Sequence, residues 1–296
     1  MVREELQKFV CGGIAGAVAK TSIAPFDRVK VLFQTTVRSF SLRSAYFEIS
    51  RIYTQEGIRA FWKGNFVQLV RIIPYSAIQF MMYDYFKRNY FQSTTNQGRA
   101  QTLLYNFLPG SIAGAIAVTW TYPFEVVRTR LAVQVTSKIY TGIFHAFSHI
   151  GHNEGYKGLF NGFSPTMLGI VVYSGTTFSL YFSSKEIIGH KGSKEHFLFG
   201  AVSGLLGQLS SYPFEVIRKR MQAHGFIEKV SSFKSSSGDF ALKGWMSYGF
   251  MIVKTEGVKG LFKGFTMNMV KSPIASGIVH TSNEALNLYA NKSWKK

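Results

Sequence analysis

Charged residues recur in three sets along the chain, and in each set an acid stands three residues before a base. Each set follows a proline: Pro25 with Asp27 and Lys30, Pro123 with Glu125 and Arg128, and Pro213 with Glu215 and Arg218. Residues three apart share one face of a helix, so one reading is local pairing at a solvated helix end. In a low-dielectric bundle an unpaired charge is costly, which favours a ring that joins neighbouring helices. The spacing therefore predicts ion pairs that form and break.

A second set of residues could bind an anion. Seven residues after the closing glycine of each of three similar elements stand Arg71, Gly169 and Lys271. At about 1.5 Å per residue, this offset lies roughly 10 Å inside a hydrocarbon core of roughly 30 Å. A cation buried that far from a helix end is a candidate functional group, because its side chain cannot reach the interface. Two cations at one level predict a site for a small anion.

The composition indicates a membrane protein whose helices carry polar residues. Of 296 residues, 46% are hydrophobic and only 17% are charged, below the roughly 25% of soluble domains. No continuous apolar run of about 20 residues occurs, so spanning helices must turn polar groups towards a bundle interior or cavity. The net charge of +19 fits anionic lipid or substrate. Nucleic acid is disfavoured, since Lys and Arg recur at matched places and form no single stripe.

The elements that must position these residues form three repeats. Each repeat has a glycine pair four residues apart, the proline motif, and a later element that reads EGIRAFWKG at 56–64, EGYKGLFNG at 154–162 and EGVKGLFKG at 256–264. Glycines at that spacing allow close helix approach in lipid. Long helices are predicted at 6–36, 65–90, 103–134, 164–187, 194–223 and 265–290. The repeats span 1–98, 99–190 and 191–296, and the serine-rich stretch 225–240 is predicted to be a flexible loop.

The remaining motifs give weaker evidence of function. Cys11 is the one cysteine, so it cannot form an internal disulfide, and we expect it to pack in a helix. His145, His149 and His152 are expected on an exposed loop helix, and no metal site is predicted. The chain has no GxxxxGK[ST] loop and no context for Ser-His-Asp chemistry, so we expect no enzyme. Only ten residues precede Cys11, too few for a cleaved leader, which predicts internal targeting.

The triple P-x-[DE]-x-x-[KR] pattern with its later glycine element resembles the mitochondrial carrier family over essentially the whole chain. The resemblance implies an all-α membrane protein with six transmembrane helices in three pseudo-threefold repeats, and with short matrix helices. It further implies a multi-pass monomer of the mitochondrial inner membrane, both termini towards the intermembrane space. Membrane lipid, including cardiolipin, would be its partner; no cofactor and no nucleic acid are expected. Some relatives serve peroxisomes.

By similarity to that family, the three charge sets would form a gate on the matrix side. Its pairs would be Asp27 with Arg128, Glu125 with Arg218, and Glu215 with Lys30. The family has a glutamine four residues after each base, which bridges the pair beside it. That glutamine is present as Gln34 and Gln222, whereas Ala132 stands at the corresponding place in the second repeat.

On the even helices the resemblance implies a second, cytosolic gate. Its pairs would be Asp84 with Lys185 and Glu284 with Lys87, whereas Phe182 would face Asn287, so that neither member of the third set is stranded. Two ion pairs here against three on the matrix side predict a protein that rests with its matrix side closed.

The resemblance also assigns a substrate site. Arg71, Gly169 and Lys271 match the family's three contact points, and Lys20 matches a cavity lysine of adenine-nucleotide members. Gly169 and Ile170 are similar to a pair that leaves room for an adenine ring, which Tyr173 would also touch. The cations would clamp phosphates, because arginine can bind two oxygens at once.

The substrate expectation narrows on three longer stretches. AKTSIAPFDRVKVLFQ at 19–34, GLLGQLSSYPFEVIRKRMQ at 204–222 and MNMVKSPIASGI at 267–278 resemble carriers of coenzyme A and related adenosine phosphates. The leading hypothesis is exchange of coenzyme A, or a close relative, for an internal adenine nucleotide by alternating access. A carrier of ATP, ADP or AMP is the alternative, and a non-transporting membrane scaffold is the alternative of another class.

Overall fold

The computed structural model is helical, and the residues it describes are 2–36, 41–90, 99–135, 139–188, 193–230 and 244–293. Each repeat consists of a long helix, a short helix and a second long helix. In chain order the helices are α1 (Val2–Thr35), α2 (Leu42–Glu56), α3 (Asn65–Asn89), α4 (Arg99–Val133), α5 (Ile143–Gly158), α6 (Phe163–Ile188), α7 (Ser193–Val230), α8 (Trp245–Glu256) and α9 (Phe265–Ser293). This order repeats one unit three times, as predicted.

Proline shapes the long helices without ending them. Pro25, Pro123 and Pro213 lie inside α1, α4 and α7, where each removes a backbone donor and kinks its helix. Each long helix of a repeat's second half packs against the next helix of the ring: α3 on α4, α6 on α7, and α9 on α1. Over the described residues, no helix combines the length and the apolar composition required of a membrane span.

The short helices gather at one end of the bundle, here called the short-helix end. The larger hydrophobic core lies there, where Ile52 of α2 and Ile150 of α5 are fully buried against residues of α1 and α4. A buried arginine ties each short helix to a long one: Arg28 to Glu56, Arg130 to Glu154, and Arg220 to Glu256. These ties fix the short helices beneath the ends of α1, α4 and α7.

The three closing glycines let each repeat approach the next. Gly64 has φ +84°, and a Cβ there would lie 2.8 Å from the carbonyl oxygen of Arg128. Gly162 likewise has positive φ and abuts the carbonyl of Arg218, and Gly264 abuts the side chain of Lys30. Only glycine adopts this backbone without strain. The basic member of each charge set is therefore held against the preceding repeat.

One predicted boundary is wrong. The stretch 225–240 was expected to be a loop, yet α7 continues through Val230. Residues 225–230, GFIEKV, contain no proline, and one glycine costs a helix only about 1 kcal/mol. The remainder of that stretch lies outside the described residues.

Candidate functional site: an ion-pair ring and its neighbouring cations

Three ion pairs join α1, α4 and α7 in a closed ring at the short-helix end. Nη2 of Arg128 lies 3.1 Å from Oδ2 of Asp27, and Nη2 of Arg218 lies 2.5 Å from Oε1 of Glu125. Nζ of Lys30 completes the ring at 2.8 Å from Oε1 of Glu215. The local contact of Arg128 with Glu125 is longer, at 3.9 Å. The short contacts therefore run between helices, which is the second of the two readings of the spacing.

Two of the three ring contacts carry an additional glutamine and tyrosine. Nε2 of Gln34 donates to the hydroxyl of Tyr212 at 3.1 Å, and Nε2 of Gln222 donates to that of Tyr122 at 3.0 Å. At the third contact Ala132 supplies only its carbonyl, which accepts from Nε of Arg28. The sequence analysis identified the glutamines but not the tyrosines, Tyr122 and Tyr212, that stand directly before Pro123 and Pro213.

Lys219 is a ring member that sequence reasoning missed. Its ammonium is buried and donates to Glu125 at 3.0 Å, to Thr129 at 3.0 Å and to Gln222 at 3.1 Å. The signal was the run Arg218-Lys219-Arg220, in which the first two bases share Glu125 and the third pairs with Glu256. Glu125 is consequently the most heavily neutralised carboxylate of the ring.

The two cations expected to bind substrate also contact ring carboxylates. Arg71 of α3 pairs with Glu125 of α4, and Nζ of Lys271 of α9 lies 2.6 Å from Oδ1 of Asp27 of α1. Lys20 is exposed and lies within electrostatic range of Asp27, Lys271 and Arg71. The level predicted for an anion is thus continuous with the ring.

The remaining predicted contact residues lie on α6. Gly169 is half-buried, and a Cβ there would lie 3.3 Å from Cβ of Phe214 on α7. The glycine therefore also serves the packing of α6 on α7, a role that the sequence did not reveal. Ile170 is half-buried, and Tyr173 is 43% exposed.

The structure describes both members of one pair of the second predicted gate. Lys87 and Glu284 form no ion pair with each other; Nζ of Lys87 donates to the hydroxyl of Tyr83 at 3.2 Å. Asp84 faces Arg88 of its own helix at 4.0 Å. The side chains of Lys185, Phe182 and Asn287 lie outside the described set. The second gate therefore stays a prediction, for the state in which the ring is open.

The histidine segment behaves as an ordinary surface helix. His145 and His152 are exposed on α5, and the His149 ring meets that of Tyr140 edge-on at 5.3 Å. Within the described ranges no cluster of His, Cys, Asp or Glu could hold a metal ion. Cys11 is buried in α1.

Comparison with known proteins gives the same three units. The family model described as mitochondrial carrier protein matches residues 3–94, 99–192 and 189–293. The mitochondrial coenzyme A transporter SLC25A42 of Xenopus tropicalis is 40% identical, covering 97% of this chain and 86% of its own length. The human protein of that name is 37% identical over 97% and 88%.

A plant relative extends this similarity. The mitochondrial carrier protein CoAc2 of Zea mays is 34% identical over 90% of this chain and 81% of its own. The repeats, the ring that joins them and these matches lead to one conclusion: the chain belongs to the mitochondrial carrier family, and it is a transporter rather than an enzyme.

Proposed function

We propose that the chain is a mitochondrial inner-membrane carrier that exchanges coenzyme A, or a close adenosine-phosphate relative, for an internal adenine nucleotide by alternating access. One observation carries the proposal: the cations at the expected substrate level, Arg71 and Lys271, are already counter-ions of the ring carboxylates. A phosphate that binds them competes directly with Glu125 and Asp27.

The charge of this region favours an anion with several phosphate charges. In the described part of the region, three carboxylates face seven cationic side chains: Lys20, Lys30, Arg71, Arg128, Arg218, Lys219 and Lys271. Clustered charge of one sign with low-dielectric walls concentrates ligands of the opposite sign. Coenzyme A carries a diphosphate and a 3′-phosphate, and the names of the relatives from frog and human support it as the substrate.

Binding would then be coupled to opening through an exchange of ion pairs. When phosphate oxygens take Arg71 and Lys271, Glu125 and Asp27 each lose one neutralising contact, and the helix-to-helix pairs with Arg218 and Arg128 are left to hold the ring. Binding energy gained at the phosphates offsets the cost of separating those pairs. The half-exposed face with Ile170 and Tyr173 would receive the adenine ring.

The orientation follows from the same scheme. The short-helix end would face the matrix, with both termini towards the intermembrane space, and the closed ring would be the matrix gate. The two acid-base sets of α3, α6 and α9 would pair when that ring opens. Protease protection of tags at each terminus in intact mitochondria tests the orientation directly.

The decisive experiment is uptake of labelled coenzyme A into liposomes that contain the purified protein and are preloaded with ADP or coenzyme A. We expect saturable uptake that depends on the internal load and is lost in Arg71→Ala. Arg51→Ala, which removes an arginine on the exposed surface of α2, is the matched control and should exchange normally. Brisk ADP exchange without coenzyme A uptake would establish the nucleotide carrier instead, and no transport of either would favour the scaffold.

A further inference from the structure

Two of the three junctions of the ring share one set of contacts beside the ion pair, and the third does not. At the α4–α7 junction, the hydroxyl of Tyr122 accepts a hydrogen bond from the amide of Gln222, and the tyrosine ring meets that of Phe163 edge-on at 5.3 Å. At the α7–α1 junction, the hydroxyl of Tyr212 accepts from the amide of Gln34, and its ring meets that of Phe265 at 5.1 Å. Both junctions therefore contain one Tyr, one Gln and one Phe in contact.

The α1–α4 junction replaces all three residues. Matched by position in the repeat, Ala24 stands for the tyrosine, Ala132 for the glutamine and Asn65 for the phenylalanine. All three line one cavity beside the Asp27–Arg128 pair, together with Gln68 and Lys219. The space open to a water centre is about 20 Å³, enough for about one water molecule. The substitutions have turned an aromatic contact into a small polar cavity.

The hydrogen bonds of Asn65 define what this cavity accepts. Nδ2 of Asn65 donates to the hydroxyl oxygen of Thr21 at 3.2 Å, while that hydroxyl donates onward to the carbonyl of Ala17 at 2.8 Å. The amide orientation is therefore fixed by its neighbours. Oδ1 of Asn65 is fully buried, and among the described residues none donates to it. A buried acceptor left in this way costs about 1–3 kcal/mol.

The side chains that line the cavity determine whether an anion, a cation or a neutral molecule fits it. Four cationic side chains line the cavity and would attract an anion, but the space holds about one water molecule, and an anion there would lie against the acceptor Oδ1 and the carboxylate of Asp27, which oppose it. A metal or ammonium cation would meet Arg128 and Lys219, which also line the cavity. A neutral molecule that both donates and accepts fits both sets, since the guanidinium of Arg128 has N–H groups beyond the one that binds Asp27.

We infer that this cavity is a hydration site, in which a water molecule donates to Oδ1 of Asn65 and accepts from Arg128, so that solvent supplements the Asp27–Arg128 pair at the α1–α4 junction. The other two junctions add direct Tyr–Gln hydrogen bonds and aromatic packing to their ion pairs. A bridging water is exchangeable and fills no aromatic volume, so the α1–α4 junction lacks the direct Tyr–Gln and aromatic contacts of the other two. This inference does not depend on which solute the protein carries.

The first test is a structure of the wild-type protein at a resolution that shows ordered solvent. We expect a solvent peak within about 2.7–3.2 Å of both Oδ1 of Asn65 and a nitrogen of Arg128. A structure in which Oδ1 accepts from a protein donor, with no solvent peak in the cavity, would overturn the inference.

The second test rebuilds the junction in the purified protein. The variant Ala24→Tyr, Asn65→Phe, Ala132→Gln copies the residues of the other two junctions, and we expect its Tm to rise by about 2–4 °C. The reverse set at the α7–α1 junction, Tyr212→Ala, Phe265→Asn, Gln34→Ala, should melt lower than wild type. If the rebuilt variant melts no higher than wild type and the reverse set melts no lower, the Tyr, Gln and Phe add no stability to a junction, which would overturn the inference. Neither the structure nor the melting experiment measures transport, so both would still test the hydration site if the substrate assignment were wrong.

Discussion

Arg71 and Glu125 form an ion pair between α3 and α4, although the sequence places one at a substrate level and the other in the ring. Lys271 and Asp27 repeat the relationship between α9 and α1. In both, the cation lies on the helix that packs against the carboxylate's own helix. If the proposed substrate site is correct, ligand binding and ring closure would use the same two cations.

The first prediction separates transport from stability at Arg71. In Arg71→Ala, Glu125 keeps Arg218 and Lys219, so the variant should fold with a Tm close to that of wild type. Exchange should fall by about 10- to 100-fold, the loss expected when a charged hydrogen-bond donor is removed. Paired thermal melts and liposome exchange check this; a large drop in Tm with normal exchange per folded protein would contradict it.

Glu125→Gln should have the opposite profile. The change leaves Arg71, Arg218 and Lys219 without their shared carboxylate, and the removal of one partner from a buried ion pair costs about 3–5 kcal/mol. We expect a clear fall in Tm in detergent. Asp84→Asn, at the exposed Asp84–Arg88 pair of α3, is the control and should melt as wild type. Equal melting of the two variants would show that Glu125 is not the hub of the ring.

Two closing glycines at the same place in their repeats differ in what stands beside them. Gly64 and Gly264 have φ of +84° and +79°, but a Cβ would lie 2.8 Å from a backbone oxygen of Arg128 at Gly64 and 3.3 Å from side-chain atoms of Lys30 and Tyr212 at Gly264. Both alanine variants should lose stability to the positive φ, and Gly64→Ala should lose more because the backbone of α4 must shift, whereas side chains can move aside. Thermal melts of the two, side by side, check the difference; indistinguishable values would mean that the two repeats do not bear on each other there.

The short helix α8 should respond to acid through Glu256. Burial opposes ionisation of this carboxyl, but hydrogen bonds from Arg220 and Lys263 outweigh burial and hold its pKa below the usual value. A lowered pKa in the folded state contributes stability above the unfolded pKa of about 4.3, and that contribution is lost as the pH falls through the folded pKa. Wild-type protein should therefore lose Tm faster than Glu256→Gln as the pH falls below about 4.5. Parallel slopes for the two proteins would argue against this tie.

The regular part of this fold was accessible from sequence because the repeats place proline, glycine and charge at fixed offsets. The six long helices begin and end within a few residues of the predicted positions, except at the C-terminal end of α7. The repeats predicted a ring between the helices, and the individual ring partners were named by similarity to the mitochondrial carrier family.

Contacts that break the repeat were not accessible. Glu154 and Glu256 pair with arginines seven residues after a proline, but Leu32 stands at that place in α1, and Arg28, one turn earlier, binds Glu56 instead. Lys219 has no basic counterpart, since Val31 and Thr129 stand at its positions in the first two repeats. Under the proposed alternating access, Lys87 would meet Glu284 only when the ring at the short-helix end is open, so a single structure with a closed ring does not test that pair.

Gly169 gives the ring a mechanical asymmetry. The symmetry mates Arg71 and Lys271 each add a cation to a ring carboxylate, whereas glycine at the matching place on α6 can add none to Glu215. At two edges of the triangle formed by α1, α4 and α7, a bound anion could thus draw a cation away from a ring carboxylate. The third edge, closed by Lys30 and Glu215, has no such added cation from α6. The ring would then open at two of its edges while the third stays closed, so that the three helices would not separate evenly.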